Sequence, residues 1–238
     1  MHREWVVEPL ETFAFRDRAI FIAATETLVL SDLHLGMAAR STVQSGLGEH
    51  DALTTRFRAL LEEFEPREAV IAGDLLHSFS SLPRGVMETL QQLEDDARAA
   101  DTEMTVTPGN HDTMLPGLWD GPSDPEYQVG DWTILHGHDA PDAGGSGYIV
   151  GHDHPAIVVE GRRYPCFLYG EAVWDGSDVL MLPAFTHLAA GVVVNGMRGT
   201  EFQSPMIEAT NPLRPIIRDR DGEETLSFPP LGEFRRLL

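Results

Sequence analysis

The stretch 27-TLVLSDLHLG-36 runs an apolar strand pattern directly into a polar cluster, and the same order returns at 69-AVIAGDLLH-77 and 104-MTVTPGNHD-112. Thr27–Leu30, Ala69–Ala72 and Met104–Thr107 are short, largely β-branched or apolar runs bounded by Gly, Pro or Asp, which predicts buried strands. Between them lie two helical stripes. His50–Phe64 places Leu53, Phe57, Leu60, Leu61 and Phe64 on one face and ends at Pro66, while Arg84–Ala100 does the same with Val86, Leu90, Leu93 and Ala97. Strands alternating with amphipathic helices predict a layered α/β or α+β domain.

Outward from this centre the pattern turns to strands. Upstream, Ala19–Ala24 pairs with Thr27–Leu30 across a turn at Thr25-Glu26. Downstream of a Pro/Gly-rich loop over Leu115–Pro125, strands are predicted at Asp131–Leu135, Tyr148–Val150, Ala156–Glu160, Tyr164–Tyr169, Asp178–Leu182 and Gly191–Val194, with a last one at Pro215–Arg218 closing the chain. Pro141–Gly147 reads as a mobile loop; its AGGSG run is no phosphate-binding loop because no Lys follows. No repeat or linker divides the sequence, so residues 1–238 are taken as a single domain.

Composition sets the outer limits. A chain of 238 residues that is 42% hydrophobic can bury a core, which excludes disorder. No apolar run approaches the roughly 18 residues of a membrane span, and the N-terminus has no apolar secretion core. The lone Cys166 cannot form an internal disulfide or a cysteine zinc site. The expectation is a soluble, cytoplasmic protein that does not engage membranes. Seventeen basic residues, all Arg, face 38 acidic ones, for a net charge of −21. Taken plainly, that opposes nucleic-acid binding, which draws its affinity from neutralised phosphates. A Lys-free acidic chain also fits a halophilic protein, in which molar salt screens the net charge over about 3 Å. The second reading carries more weight, and under it net charge says little about substrate.

Five polar clusters each follow a predicted strand: Asp32-Leu-His34, Gly73-Asp74 with His77, Gly109-Asn110-His111-Asp112, His136-Gly-His138, and Gly151-His152-Asp-His154. Ligands in layered α/β domains gather at strand carboxyl ends. Asp32 and His34, like His152 and His154, are two residues apart, and an extended backbone would turn both side chains the same way. Singly each cluster is weak: Asn110 could be a turn residue and a His-x-His pair a surface feature. The ordered set is strong. Carboxylate, imidazole and amide oxygen without thiolate suit Mn, Fe or Zn. Two Asp, one Asn and four His exceed the needs of one tetrahedral ion and match two ions sharing a carboxylate. Such a pair clamps the oxygens of an in-line phosphoryl displacement.

The motifs SDLHLG, AGDLLH, TPGNHD, LHGH and GHDH resemble, in order, the five signatures of the calcineurin-like metallophosphoesterases over residues 31–154. The resemblance implies an α+β sandwich of two stacked mixed β-sheets flanked by helices, with a dimetal site at strand carboxyl ends. Carried over by motif, one metal would be held by Asp32, His34, Asp74 and His154, and the other by Asp74, Asn110, His136 and His152, with Asp74 bridging. Manganese is favoured; iron, zinc and nickel suit the same donors. His111 would be the catalytic histidine, and Asp112 would either orient it or cap a helix. His77 stands where protein phosphatases carry an Asp and no Arg-Gly follows, which argues against that branch. GDLLHSFSSLP resembles the second motif of the double-strand-break repair nucleases of archaea and eukaryotes, which makes His77 a second candidate for handling the phosphate.

The later segment RYPCFLYG…VLMLPAFTHLAAG resembles the compact phosphoesterases related to that nuclease, including the bacterial form found beside a DNA ligase. A Lys of that pattern is replaced by Met37, which leaves Arg40 and His138 as the candidates for substrate contact. The implied activity is phosphodiester hydrolysis by in-line attack of a metal-activated hydroxide on DNA, RNA or a nucleotide. DNA-repair partners and a homodimer belong to the same expectation. The alternatives are a nucleotide or lipid pyrophosphatase, a broad phosphomonoesterase, and a catalytically silent scaffold. Of the remaining residues, Cys166 and His187 read as core, His50 as a turn residue before its helix, the Trp residues as packing, and Arg235-Arg236 as a solvated tail.

Overall fold

Side-chain alternation decides the layers. In β3 (Thr27–Leu30), Leu28 and Leu30 face one core and Val29 another, and in β4 (Glu68–Ala72), Ala69 and Ile71 oppose Val70 and Ala72 in the same way. A strand buried on both faces belongs inside a sandwich. The computed structural model describes residues 8–37, 46–77, 83, 85–142, 144–218 and 224–236. Arg40 and Arg84 lie outside the described residues.

β1 (Phe13–Arg16), β2 (Ala19–Ile22) and β3 form an antiparallel meander, to which β4 and β5 (Glu103–Thr107) add in parallel, giving the order β1-β2-β3-β4-β5. The two parallel crossovers carry α1 (Gly46–Phe64) and α2 (Val86–Ala99). The apolar stripes of both helices join Leu28, Leu30 and Ile71 in one core. His50 lies inside α1 rather than before it, its Nδ1 2.7 Å from Thr89 Oγ1 of α2, so it ties the two helices together.

The rest of the chain supplies β6 (Tyr127–Val129), β7 (Trp132–Ile134), β8 (Gly147–Val150), β9 (Pro155–Val159), β10 (Arg162–Pro165), β11 (Phe167–Trp174), β12 (Ser177–Met181), β13 (Val192–Val193), β14 (Arg214–Arg218), β15 (Thr225–Ser227) and the single turn α3 (Leu231–Phe234). Seven of these strands form a mixed sheet in the order β15-β14-β11-β12-β8-β7-β6, and a small sheet has the order β10-β9-β13. Ile134, Ile149, Phe167, Tyr169, Leu180 and Ile216 meet Ile20, Val29 and Val70 between the two large sheets. These are the two stacked mixed sheets expected from the sequence. Helices α1 and α2 cover the five-stranded sheet. The outer face of the seven-stranded sheet, through Tyr148, Val150, Val179 and Met181, packs mainly on Phe202, Met206, Leu213, Leu231 and Phe234 of the C-terminal segment.

Several elements differ from the sequence reading. The run Tyr164–Tyr169 is two strands in two sheets: Pro165 still pairs with Ala156, Phe167 already pairs with Ile216, and buried Cys166 makes the passage. β1 turns into β2 through Asp17 and Arg18, both at positive φ (40° and 69°), a two-residue hairpin without the Gly or Asn that marks such turns. β15 and α3 extend the chain beyond Arg218. Arg235 is no solvated tail: its guanidinium donates to the carbonyls of Asn195 and Met197, to Thr210 Oγ1 and to Asn211 Oδ1. Among the described residues no helix is long and apolar enough to cross a membrane.

Arg235 therefore locks the C-terminal layer onto the loops that cover the second sheet. Arg235→Ala should cost about 1.5–3 kcal/mol, as for lost hydrogen bonds of a charged group. Urea denaturation of the variant would show this as an earlier midpoint with an unchanged slope.

Candidate metal centre

Parallel strands place their carboxyl ends side by side, and all five polar clusters emerge there. Asp32 and His34 follow β3, Asp74 and His77 follow β4, Asn110 and His111 follow β5, His136 follows β7, and His152 and His154 follow β8. The loops after β3 and β4 continue the ladder beyond the strands: the amides of Asp32, His34 and Leu35 donate to the carbonyls of Gly73, Asp74 and Leu75, and His77 N donates back to Leu35 O.

The expected extended backbone at Asp32/His34 and His152/His154 is not what aims these side chains. Asp32, His34, Asp74, His152 and His154 all have positive φ, between 48° and 72°. Five of the seven candidate ligands thus stand in the left-handed region, which costs a non-glycine residue about 1 kcal/mol or more, although Asp and His tolerate it better than most. Each kink reverses the chain so that the side chain points inward over the strand ends. Gly109 meets the opposite demand. A Cβ there would overlap Asp74 Oδ1, so only glycine lets that loop close on the carboxylate.

The side chains converge in two groups. Asp32, His34 and His154 bring ligand atoms within 4.8 Å of one another, as do Asp32, Asp74 and His136. Asp32 is common to both groups, and Asp74 of the second reaches toward the first, its Oδ2 3.8 Å from His34 Nε2 and its Oδ1 3.5 Å from His136 Nε2. Asn110 Oδ1 and His152 Nδ1 lie 3.2 and 3.1 Å from His136 Nε2. His136 Nδ1 lies 3.2 Å from the Ala72 carbonyl; donation there leaves Nε2 with its lone pair facing the group.

The electrostatics fit a cation pair. Burial lowers His34 to about 3 and His136 to about 4, and it lowers His152 as well, which keeps these rings neutral, the form that ligates metal. Burial opposes the charge on Asp32, yet the rings of His154, His136 and His34 hold its carboxyl well below the usual range. Burial, then the Asp32 charge, pushes Asp74 up to about 8. Asp32 Oδ1 is buried without a hydrogen-bond partner, although His154 Nε2 lies only 2.9 Å away, and His34 Nε2 faces His154 Nε2 at 3.2 Å. Two close carboxylates and facing imidazole nitrogens are a donor set that divalent cations satisfy.

Around this centre the remaining candidates separate. His111, partly exposed, stacks on His77 with ring centroids 5.0 Å apart and planes 14° from parallel, and its Nε2 is 3.9 Å from Asp74 Oδ2. His77 Nδ1 lies 3.2 Å from His34 Nδ1. Asp112 gives its carboxylate to backbone: Oδ1 accepts from Leu76 N, and Oδ2 from Gly109 N and Leu75 N, so it laces the third motif to the second. His138 lies beside His136 and pairs with Asp139 at 3.2 Å. His187, expected in the core, is exposed.

The sequence reading passed over two devices. Asp153, between the two ligands of the last motif, is buried and accepts from the amides of Gln203 and Ser204, repeating the Asp112 arrangement. Its position inside GHDH is the signal that could have found it. Arg18 and Arg56 grip the carbonyls of Ala184, Phe185 and Thr186 beside Asp32. No local pattern marks them, since both act across more than a hundred residues of chain.

The profile of the calcineurin-like phosphoesterase family matches residues 26–171, which holds every one of these ligands. The chain belongs to that family. It is accordingly a metal-dependent hydrolase of phosphoesters, with candidate ligand groups for two ions. The Pseudomonas putida nuclease MPE is a structural neighbour, 24% identical, with 89% of this chain and 92% of that one covered and a TM-score of 0.59, a likeness of fold. Yfce, a phosphoesterase from E. coli, matches at 17% identity and a TM-score of 0.41 over 82% of this chain and 88% of that one. No curated protein matches the sequence.

A phosphoesterase whose centre is this crowded with like groups should depend on its ions for stability. With free metal at about a hundred times its Kd, linkage adds about 2.7 kcal/mol. At 2–4 °C per kcal/mol for a chain of this size, a chelator should lower the melting temperature by roughly 5–10 °C. Calorimetry with and without chelator, followed by readdition of manganese or zinc, checks both the loss and its recovery.

Proposed function

We propose that this phosphoesterase is a two-metal phosphodiesterase acting on nucleic acid or nucleotides. Asp32, His34, Asp74 and His154 would hold one cation, and Asp74, Asn110, His136 and His152 the other. Manganese is the favoured metal, because oxygen and nitrogen donors without thiolate suit it. When bound, such a pair supplies Lewis acidity toward phosphoryl oxygens and lowers the pKa of water.

The observation that carries the reading is the histidine pair at the mouth of the centre. The His111 ring stands within 3.9 Å of Asp74 and 24% exposed, where a substrate can reach it. It donates a proton to the departing oxygen, or a hydrogen bond to the charge developing on the phosphoryl oxygens. His77 packs flat against that ring and edge-on to His34, with centroids 4.9 Å apart, so it fixes the orientation of both. Asp74 Oδ1 accepts from the His111 amide at 2.9 Å, which ties the position of the acid to a carboxylate of the second ligand group. The Asp112 lacing holds the same loop in register.

A histidine that transfers a proton contributes about 10²–10⁴-fold. His111→Ala should therefore lower kcat on bis-p-nitrophenyl phosphate by that factor, with metal content by elemental analysis unchanged. Asp74→Asn should lose both activity and metal. Full turnover in either variant, or a wild type that hydrolyses p-nitrophenyl phosphate but no diester, would contradict the reading. The assay is run at low and at molar salt, since the chain is also read as salt-adapted.

A further inference from the structure

The rim of the first ligand group is built as a fixed surface. Thr186 N donates to the Asp32 carbonyl at 3.3 Å and Val192 N to the His154 carbonyl at 2.8 Å, so residues 187–191 run from the backbone of one candidate ligand to that of another. The foot of this loop is held hard. Phe185 N bonds Ser31 O, Arg18 reaches the carbonyls of Ala184 and Thr186, and Arg56 reaches the Phe185 carbonyl while its Cζ lies 4.1 Å over the Phe185 ring. Gly191 closes the loop at φ 74°, where a Cβ would press on the His154 carbonyl.

What this loop presents is unusual for the molecule. Leu188 and Val192 are two of the four large apolar side chains exposed among the described residues; the others are Met87 and Leu226. His187 is exposed beside them. The charge pattern singles out the same place. In a chain with 38 acidic residues, the longest stretch without one is the 22 residues from Val179 to Thr200, which contains the loop. The next longest, residues 33–48, begins directly after Asp32. The rim loop itself thus carries no acid that would repel an anionic substrate.

We propose that residues 187–192 form the subsite for a nucleoside esterified to the scissile phosphate, with Leu188 and Val192 packed against the base and His187 contacting its sugar-phosphate side. The inference rests on the phosphodiesterase reading and names its substrate contact. Leu188 and Val192 are only 38% and 40% exposed, a small apolar contact that suits one base better than a long acyl chain.

The test compares thymidine 5′-(p-nitrophenyl phosphate) with methyl p-nitrophenyl phosphate, which share a leaving group and differ in the other ester. The wild type should favour the thymidine ester in kcat/KM. His187→Ala and Leu188→Ser should each reduce that preference about tenfold, the size of a lost apolar or polar pocket contact, chiefly through KM. Leu226→Ser, exposed but away from the rim, should leave the preference where it was. Rim variants that keep the wild-type preference, or a wild type without one, overturn the subsite while leaving the phosphodiesterase reading in place. A wild type that hydrolyses neither ester removes that reading, and the subsite with it.

Discussion

The structure is organised around one electrostatic problem: two buried carboxylates and four imidazoles are brought within a few ångströms of each other. Asp32 and Asp74 share one group with ligand atoms no more than 4.8 Å apart. At that separation two full negative charges repel by about 3 kcal/mol at the effective dielectric of a protein interior. Protonation of Asp74 relieves the repulsion when no cation is present, which is the direction its pKa takes. Cations relieve it while leaving both carboxylates ionised. The scaffold must therefore hold like groups together before the ions arrive, and much of the surrounding architecture can be understood as that restraint.

The restraint is applied in the backbone. Left-handed residues at five ligand positions would relax if their loops were free, so the loops are tied at both ends. Asp112 lashes the third motif to the second and Asp153 fastens the fifth to the C-terminal layer, each through two backbone amides or more. His152 N donates to Asp32 Oδ2 and His111 N to Asp74 Oδ1, so the carboxylates expected to bind metal also position the neighbouring motifs. Packing supplies the rest. The strands that end at the centre are buried on both faces, which fixes their register to within one residue and hence the height of each loop.

Much of the fold was legible because the relevant signals are local. Continuous apolar runs located β3, β4 and β5, the 3.6-residue period located α1 and α2, and the residue types after the strands named the chemistry. Signals that depend on distant partners were not legible. The Asp17-Arg18 turn carries no Gly, and β1 alternates too briefly to stand out. The passage of Cys166 between sheets requires knowing that Ala156 and Ile216 flank it in space. Arg235 looks like an ordinary terminal charge until its four acceptors are assembled from residues 195–211. For the ligands, residue spacing correctly brought Asp32 and His34 together but for the wrong reason: the pairing comes from left-handed kinks, not from strand alternation.

The net charge of −21 looks at first like an argument against an anionic substrate, and the distribution of acid resolves it. A polyanion does not respond to the total charge of a protein beyond a Debye length of about 8–10 Å; it responds to the groups near its path. Near the candidate centre Asp32, Asp74, Asp112 and Asp153 are buried and committed to the ligand groups or to backbone amides, while the exposed Asp139 pairs with His138. The sequence runs without acid for 16 residues after Asp32 and for the 22 residues from Val179 to Thr200, which include the rim loop. The field that an approaching phosphate meets is therefore set by the metal loading of the centre more than by the surface. Acid elsewhere can serve solubility without opposing the chemistry.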